Sequence, residues 1–247
     1  MTTKYHKSIK GKNAGKWVIC RAKNGCPLET KVMSSNPNTK VAPRIDNLRY
    51  LTDEQKSFYF KELKKAYALA KDYKHDYSED DPKSREGEQE FLDSYDPTKY
   101  TNATISYTAD NIIFTEGSNG KLKVLLIERG GHPYKNHWAH PGGFIDGDEK
   151  PVEAAVRELK EETNITMSEN FLQFVKAYDA DGRDPRMDIV MNTHVALIPK
   201  LPKYKGSDDA LSARLVDVES IYKPNSKILM AFDHKQSIRD AIEFLLK

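Results

Sequence analysis

Only two cysteines, Cys20 and Cys26, occur among the 247 residues. That excludes a disulfide framework, and two ordinary thiols in a reducing, cytoplasmic setting are expected, with no secretory segment ahead of them. Joined by His6 they would supply three ligands, one short of a structural zinc site. Long apolar runs are missing too: nothing approaches the ~20 residues of a membrane span, so no membrane partner is expected. Nor does charge of one sign dominate, since 39 Lys+Arg against 37 Asp+Glu leave a formal charge of +2. Such a balance gives no global reason to bind nucleic acid. The exception is local. Lys4, Lys7, Lys10, Lys12, Lys16, Arg21, Lys23, Lys31 and Lys40 face only Glu29 in the first forty residues. A solvated basic terminus is the ordinary reading of that run; a nucleic-acid contact through it is the alternative.

What the chain has is strand-like and helix-like patterning in alternation. Lys16–Ala22 and Thr30–Ser34 are short β-prone runs expected to pair as a hairpin. Thr52, with Gln55 three residues on, reads as the cap of a long helix reaching about Asp76, its apolar stripe being Phe58, Phe60, Leu63, Ala66, Tyr67 and Leu69. Ser78–Glu88 is polar and rich in breakers, which divides residues 1–88, an extension, from a main domain over 89–247. A short helix from Gln89 to Ser94 precedes strands over Ala103–Thr115 and Leu122–Arg129, the second apolar enough to be central. Further strands are expected over Phe171–Ala177, Ile189–Ile198 and Ala213–Val216. A last helix, Asp233–Leu246, shows Ile238, Ala241, Ile242 and Leu245 on one face. Strands interleaved with helices argue for a mixed α/β (α+β) sandwich.

The densest chemistry lies between Gly142 and Ile165, GGFIDGDEKPVEAAVRELKEETNI. A glycine turn opens it and Pro151 suits the first position of a helix. On that helix Glu158, Glu161 and Glu162 stand at i, i+3 and i+4, so three carboxylates share one face. Like charges so close repel each other unless cations lie between them, and hard oxygen donors suit Mg²⁺ or Mn²⁺. Val152, Ala155, Val156 and Leu159 form the opposite, apolar face, which would hold the helix to a core.

Gly143, five residues, Glu149, seven residues, then Arg157-Glu158-Leu159-Lys160-Glu161-Glu162 resembles the Nudix box of hydrolases of nucleoside diphosphate derivatives. Asn164 stands where the family usually has glycine. Asparagine tolerates the left-handed conformation better than most residues, so a helix end there is retained. Outside the box, Phe91-Leu92, Tyr95-Asp96-Pro97-Thr98-Lys99-Tyr100, Arg183-Asp184-Pro185-Arg186 and Ala231-Phe232-Asp233-His234 resemble the ADP-ribose pyrophosphatase branch, which also holds NrtR-type regulators. Regulators of that branch carry a winged helix after the Nudix domain and often a damaged box. Here the carboxylates are intact and the chain ends after one helix, which favours an enzyme over a sensor.

The resemblance implies an α/β/α sandwich, a homodimer, a nucleotide substrate, and Mg²⁺ or Mn²⁺ at Glu158, Glu161 and Glu162, completed by the carbonyl of Gly142. Arg157 is expected to pair with Glu149 and orient the helix. Asp209, or its neighbour Asp208, in the loop ahead of the last strand, stands where the family often keeps its general base. Arg129, Arg183 and Arg186 are the candidates for phosphate or terminal ribose, because guanidinium groups suit phosphate oxygens. Tyr95, Tyr100 or Trp138 would face adenine. The implied reaction is hydrolysis of ADP-ribose to AMP and ribose 5-phosphate. NADH, dinucleoside polyphosphates and capped RNA are alternative substrates, and a non-catalytic ADP-ribose sensor or RNA-binding module is the alternative role.

Overall fold

The computed structural model describes residues 4–7, 17–20, 44–99, 105–204 and 210–247. Cys26, Thr30–Ser34, Tyr100 and the Asp208-Asp209 pair lie outside the described residues, as does most of the basic run before Lys40. The chain forms two compact units, Met1–Val41 and Ala42–Lys247. In the first, β1 (Lys4–Lys7) pairs antiparallel with β2 (Trp17–Cys20), Lys4 opposite Cys20. Trp17–Cys20, within the strand expected over Lys16–Ala22, is therefore a strand, but its partner among the described residues is β1 rather than Thr30–Ser34.

In the second unit, α1 (Asp53–Ala70) begins at a reciprocal cap: Gln55 N–H donates to Thr52 Oγ1 and Thr52 N–H to Gln55 Oε1. Its buried stripe is Tyr59, Leu63, Ala66 and Ala70, while Phe58, Phe60 and Tyr67 pack along the margin and Leu69 is exposed. The helix stops at Ala70, short of the expected Asp76. Beyond it Tyr73 meets Tyr222 edge-on and lies under the Lys235 ammonium. The buried stripe packs against α5 (His234–Leu246). An amphipathic helix must bury its apolar face, so the compact unit takes in α1 and starts at Ala42, ahead of the division expected near residue 88.

After α2 (Glu88–Ser94) the strands are β3 (Ile105–Glu116), β4 (Leu122–Arg129), β5 (Trp138–Ala139), β6 (Gly142–Phe144), β7 (Gln173–Tyr178), β8 (Asp188–Leu197) and β9 (Ala210–Asp217). They form one mixed sheet in which β3 runs parallel to β8 and the other pairings are antiparallel. One edge of β3 is shared: Phe114–Glu116 pairs with β4, and Thr108–Asp110 pairs with β6. Strand alternation then sorts the side chains into two layers. Ile112, Phe114, Val124, Leu126, Val195 and Leu197 join a core with α1, α5 and α4 (Val218–Tyr222). Ala109, Ile113, Leu125 and Ala196 pack on Ala154, Ala155 and Leu159 of α3 (Pro151–Thr163). The result is the mixed α/β sandwich that the patterning predicts. It brings the start of β6, the last turns of α3 and the first turn of α5 to the Asp110 segment of β3.

Candidate active site

The two glycines that open the acidic stretch are dictated by close approach. A Cβ on Gly142 would come within 2.7 Å of the Ala109 carbonyl oxygen, and one on Gly143 within 2.5 Å of the Glu158 carboxylate. Backbone blocks a side chain at Gly142, whereas one at Gly143 would have to push the Glu158 carboxylate aside; β6 lies directly against β3 and α3. Pro151 occupies the first turn of α3, and Asn164 ends the helix at φ 58°, ψ 20°, the left-handed conformation expected of it. Asn111, buried on the α3 side of β3, donates to the carbonyls of Pro141 and Ala155 and ties strand, loop and helix together.

On α3 the carboxylates take different environments. Gly142 N–H donates to Glu162 Oε2 at 2.8 Å, and burial, with Glu158 and Asp110 adding repulsion, pushes the Glu162 carboxyl up to about 8. Glu158 is raised as well, by burial first, against the opposing pull of Arg157. Arg157 gathers the outer carboxylates: it donates to Glu149, to Glu158 Oε1 at 2.6 Å, to Glu161 Oε2 at 3.0 Å and to the Phe144 carbonyl. Its bonds to Glu149 are the main reason it holds its proton more tightly than a free guanidinium. The expected Arg157–Glu149 pair is thus one branch of a wider fork.

Glu158, Glu161, Glu162 and Gly142 line a cavity of about 400 Å³ together with Arg129, Arg183 and Arg186. These arginines are not equivalent. Arg183 makes a two-pronged ion pair with Asp233, at 3.1 and 2.7 Å, and both partners are buried. Tyr77 also donates to Asp233, so Arg183 is tied to the start of α5. Arg186 grips Asp184, at 2.9 and 2.7 Å, and lies over the Phe144 ring. Arg129 donates to the Pro133 carbonyl, lies 5.1 Å from the centre of the Phe232 ring and makes no ion pair with a described residue. The register of β4 against β9 shifts between Glu128 and Arg129, and such a bulge re-aims the side chain at the strand end. Phe232 beneath it sits at φ 48°, an uncommon conformation for a bulky residue. Burial first, then the nearby Arg186, lowers the Arg129 pKa.

Trp138 lies elsewhere: its ring is under Arg214, and the side chain packs against the core of α1 and α5 rather than lining the cavity. Tyr95 is tilted against Phe91 at 5.5 Å, outside the lining. Asp110, His140, Asp184 and His234 also line the cavity, and the sequence reading gives none of them a role. A lone acid inside an apolar strand was the available signal for Asp110, because a buried carboxylate needs a reason. Burial raises its pKa to about 7, against the attraction of Arg183.

No three His, Cys, Asp or Glu side chains among the described residues are already gathered into a cation-sized cluster. The donor set nonetheless fits a hard divalent cation. Three carboxylates of one helix line one cavity, and Glu162 is buried with a raised pKa that a neighbouring positive charge would lower.

Residues 107–240, more than half of the chain, match the NUDIX domain. The chain belongs to the Nudix family. Among curated relatives of this Nudix chain, an ADP-ribose pyrophosphatase of Methanocaldococcus jannaschii is 36% identical, over 48% of this chain and 64% of the relative. An ADPR responsive transcriptional repressor, NtrR, of Acinetobacter baylyi is 32% identical over 62% and 59%. The chain thus spans under two thirds of the length of either. Among solved structures, a bifunctional NMN adenylyltransferase/ADP ribose pyrophosphatase of Francisella tularensis, complexed with AMP and a Mn ion, superposes with TM-score 0.55 at 28% identity, covering 64% of this chain and 47% of that one. The NUDIX domain of Shewanella oneidensis NrtR complexed with ADP ribose gives 0.51 at 29%, over 63% and 97%. Nudix hydrolases use divalent metals as a rule, which agrees with the donor set on α3. No helix among the described residues is long and apolar enough to cross a membrane.

Proposed function

We propose that this Nudix chain hydrolyses the pyrophosphate bond of ADP-ribose, giving AMP and ribose 5-phosphate. The observation that carries the reading is one cavity lined by the α3 carboxylates and by Arg129, a partly buried guanidinium without an ion-pair partner among the described residues. Relatives named for ADP-ribose support the choice of substrate.

Glu158, Glu161 and Glu162 would hold Mg²⁺ or Mn²⁺, with the Gly142 carbonyl as the family implies. When bound, the cation neutralises phosphate oxygens and acidifies a water. The chain's own residues do the rest. Arg157 holds Glu158 and Glu161 on the cavity side of α3, and Gly142 N–H fixes Glu162. Arg129 and Arg186 receive phosphate oxygens, Arg129 the more readily because Arg186 must share its guanidinium with Asp184. Arg183 shapes the wall through Asp233 rather than touching substrate. Water attacks phosphorus, the bond to the bridging oxygen breaks, and the two monophosphates leave. Asp209 is proposed as the acceptor of the water's proton and Tyr100 as an adenine face; a homodimer is proposed from the family.

The test is product analysis with Mg²⁺ across ADP-ribose, NADH, a dinucleoside polyphosphate and capped RNA at equal concentration. Release of AMP from ADP-ribose with the highest kcat/KM is expected, and no release from it sinks the reading. A sensor that binds ADP-ribose without turnover is the second reading, favoured by likeness to the Acinetobacter repressor.

A further inference from the structure

The wall opposite α3 contains a histidine whose proton is placed by the backbone. His140 N–H donates to His234 Nδ1 at 3.0 Å. A backbone amide is always the donor, so Nδ1 carries a lone pair and the ring proton of neutral His234 sits on Nε2. The pairing is braced. The two imidazoles stack at 4.5 Å with an interplanar angle of 4°. Ser237 Oγ donates its proton to the His234 carbonyl, which leaves Oγ to accept from His140 Nε2 at 2.7 Å. His140, His234 and Ser237 are all buried. Burial, the amide and the neighbouring imidazole all oppose a second proton on His234, so it is neither a base nor a cation. It is a fixed donor.

Its Nε2 stands 3.7 Å from Asp110 Oδ2, too far for a direct hydrogen bond, and both side chains line the cavity. The other carboxyl oxygen of Asp110 accepts from Thr108 Oγ1 at 3.1 Å. A donor and an acceptor held just beyond reach of each other match a hydroxyl, which takes one hydrogen bond and gives one. To an ionised Asp110 a phosphate oxygen, which would accept from His234, could give nothing.

We infer that Asp110 and His234 form a subsite for one ribose hydroxyl of the substrate, with His140 and Ser237 as positioning residues that set the His234 tautomer. The inference rests on the proposed reading of the cavity as a nucleotide site. ADP-ribose offers two sources of that hydroxyl, the adenosine ribose and the terminal ribose. Rejection of a deoxy analogue follows because its binding would leave the buried Asp110–His234 pair unfilled.

The experiment compares kcat/KM with Mg²⁺ for ADP-ribose, the analogue deoxygenated in its adenosine ribose and the analogue deoxygenated in its terminal ribose. Wild type is expected to disfavour one analogue about tenfold or more. His234→Phe and Asp110→Asn should each bring that ratio to within about twofold and leave the ratio for the other ribose alone. Equal use of all three compounds by wild type overturns the subsite, as does a preference that persists in both folded variants. Should the variants not fold, ¹⁵N–¹H spectra of wild type decide. The Nε2–H tautomer of His234 is expected at neutral pH, its signal shifting with ADP-ribose and not with the disfavoured analogue; an Nδ1–H tautomer overturns the inference. If another ribonucleoside diphosphate derivative is turned over and ADP-ribose is not, the proposed substrate fails. The same comparison with that compound and its deoxy forms then decides the subsite.

Discussion

The cavity has two walls built in opposite ways. The α3 wall comes from one contiguous stretch, Gly142 to Asn164, held by Arg157 and by the Gly142 amide. The facing wall is assembled from Asp110 on β3, Arg129 at the end of β4, the Arg183–Arg186 loop and the Phe232–His234 turn. Its anchor is a buried ion pair, Arg183 with Asp233. Metal-type chemistry can therefore be encoded locally, whereas the groups that would recognise a substrate depend on the whole sandwich being formed.

Substitutions on the two walls should separate these roles. On the α3 wall, Glu162→Gln keeps an oxygen for the Gly142 amide and removes the charge. Turnover of ADP-ribose is expected to fall by about 10²–10³-fold or more with the thermal midpoint retained, as initial rates and a melt would establish. On the facing wall Arg183→Met leaves Asp233 buried without its counter-charge, and a loss of about 3–5 kcal/mol is expected in denaturant unfolding. Loss of stability below 1 kcal/mol would remove Arg183 from its anchoring role.

Acidity distinguishes the walls less sharply, since both hold carboxyls raised by burial. Glu162 and Asp110 have folded pKa values of about 8 and about 7, above their unfolded values, so the folded protein keeps protons that the unfolded chain has released. In chelator, stability should fall as pH rises from about 7 to about 8.5, where the histidines of the unfolded chain have mostly lost their protons, and Mg²⁺ should restore more of it at the upper end of that window than at the lower. A melting temperature that climbs across that window would contradict the assignment.

Smaller effects sharpen the contrast within the facing wall. Arg129→Met is expected to raise KM by about tenfold, whereas Trp138→Phe should stay within about twofold of wild type, because the indole packs against the core. On the α3 wall, Asn164→Gly relieves a left-handed position and should change stability by between about 0 and +1 kcal/mol.

What was legible in the sequence follows the same division. The α3 wall could be read from spacing: the glycine pair, Pro151, three carboxylates on one helical face and Asn164 at the helix end all sit within a few turns of one another. Strands β3, β4 and β8 showed through their apolar runs, and Leu122–Arg129 is reproduced residue for residue. The facing wall was not legible as a unit. Arg183 looks like a phosphate ligand until the fold brings Asp233 to it, and nothing near Trp138 in sequence shows Arg214 lying over its ring. The division placed near Ser78–Glu88 rested on composition. That segment is nonetheless tied to distant chain: Tyr134 N–H donates to Glu88 and the Arg85 guanidinium lies over the Tyr134 ring. Polar residues that bond across a fold look, in sequence, like those of a solvated linker.

The central claim is that both walls address one pyrophosphate. Its most direct measurement is a crystal structure of the Glu162→Gln protein with ADP-ribose and Mg²⁺. The diphosphate is expected between the α3 carboxylates and Arg129, with one ribose hydroxyl between Asp110 and His234. ADP-ribose bound with its diphosphate away from α3, or with Arg129 untouched, would contradict the account.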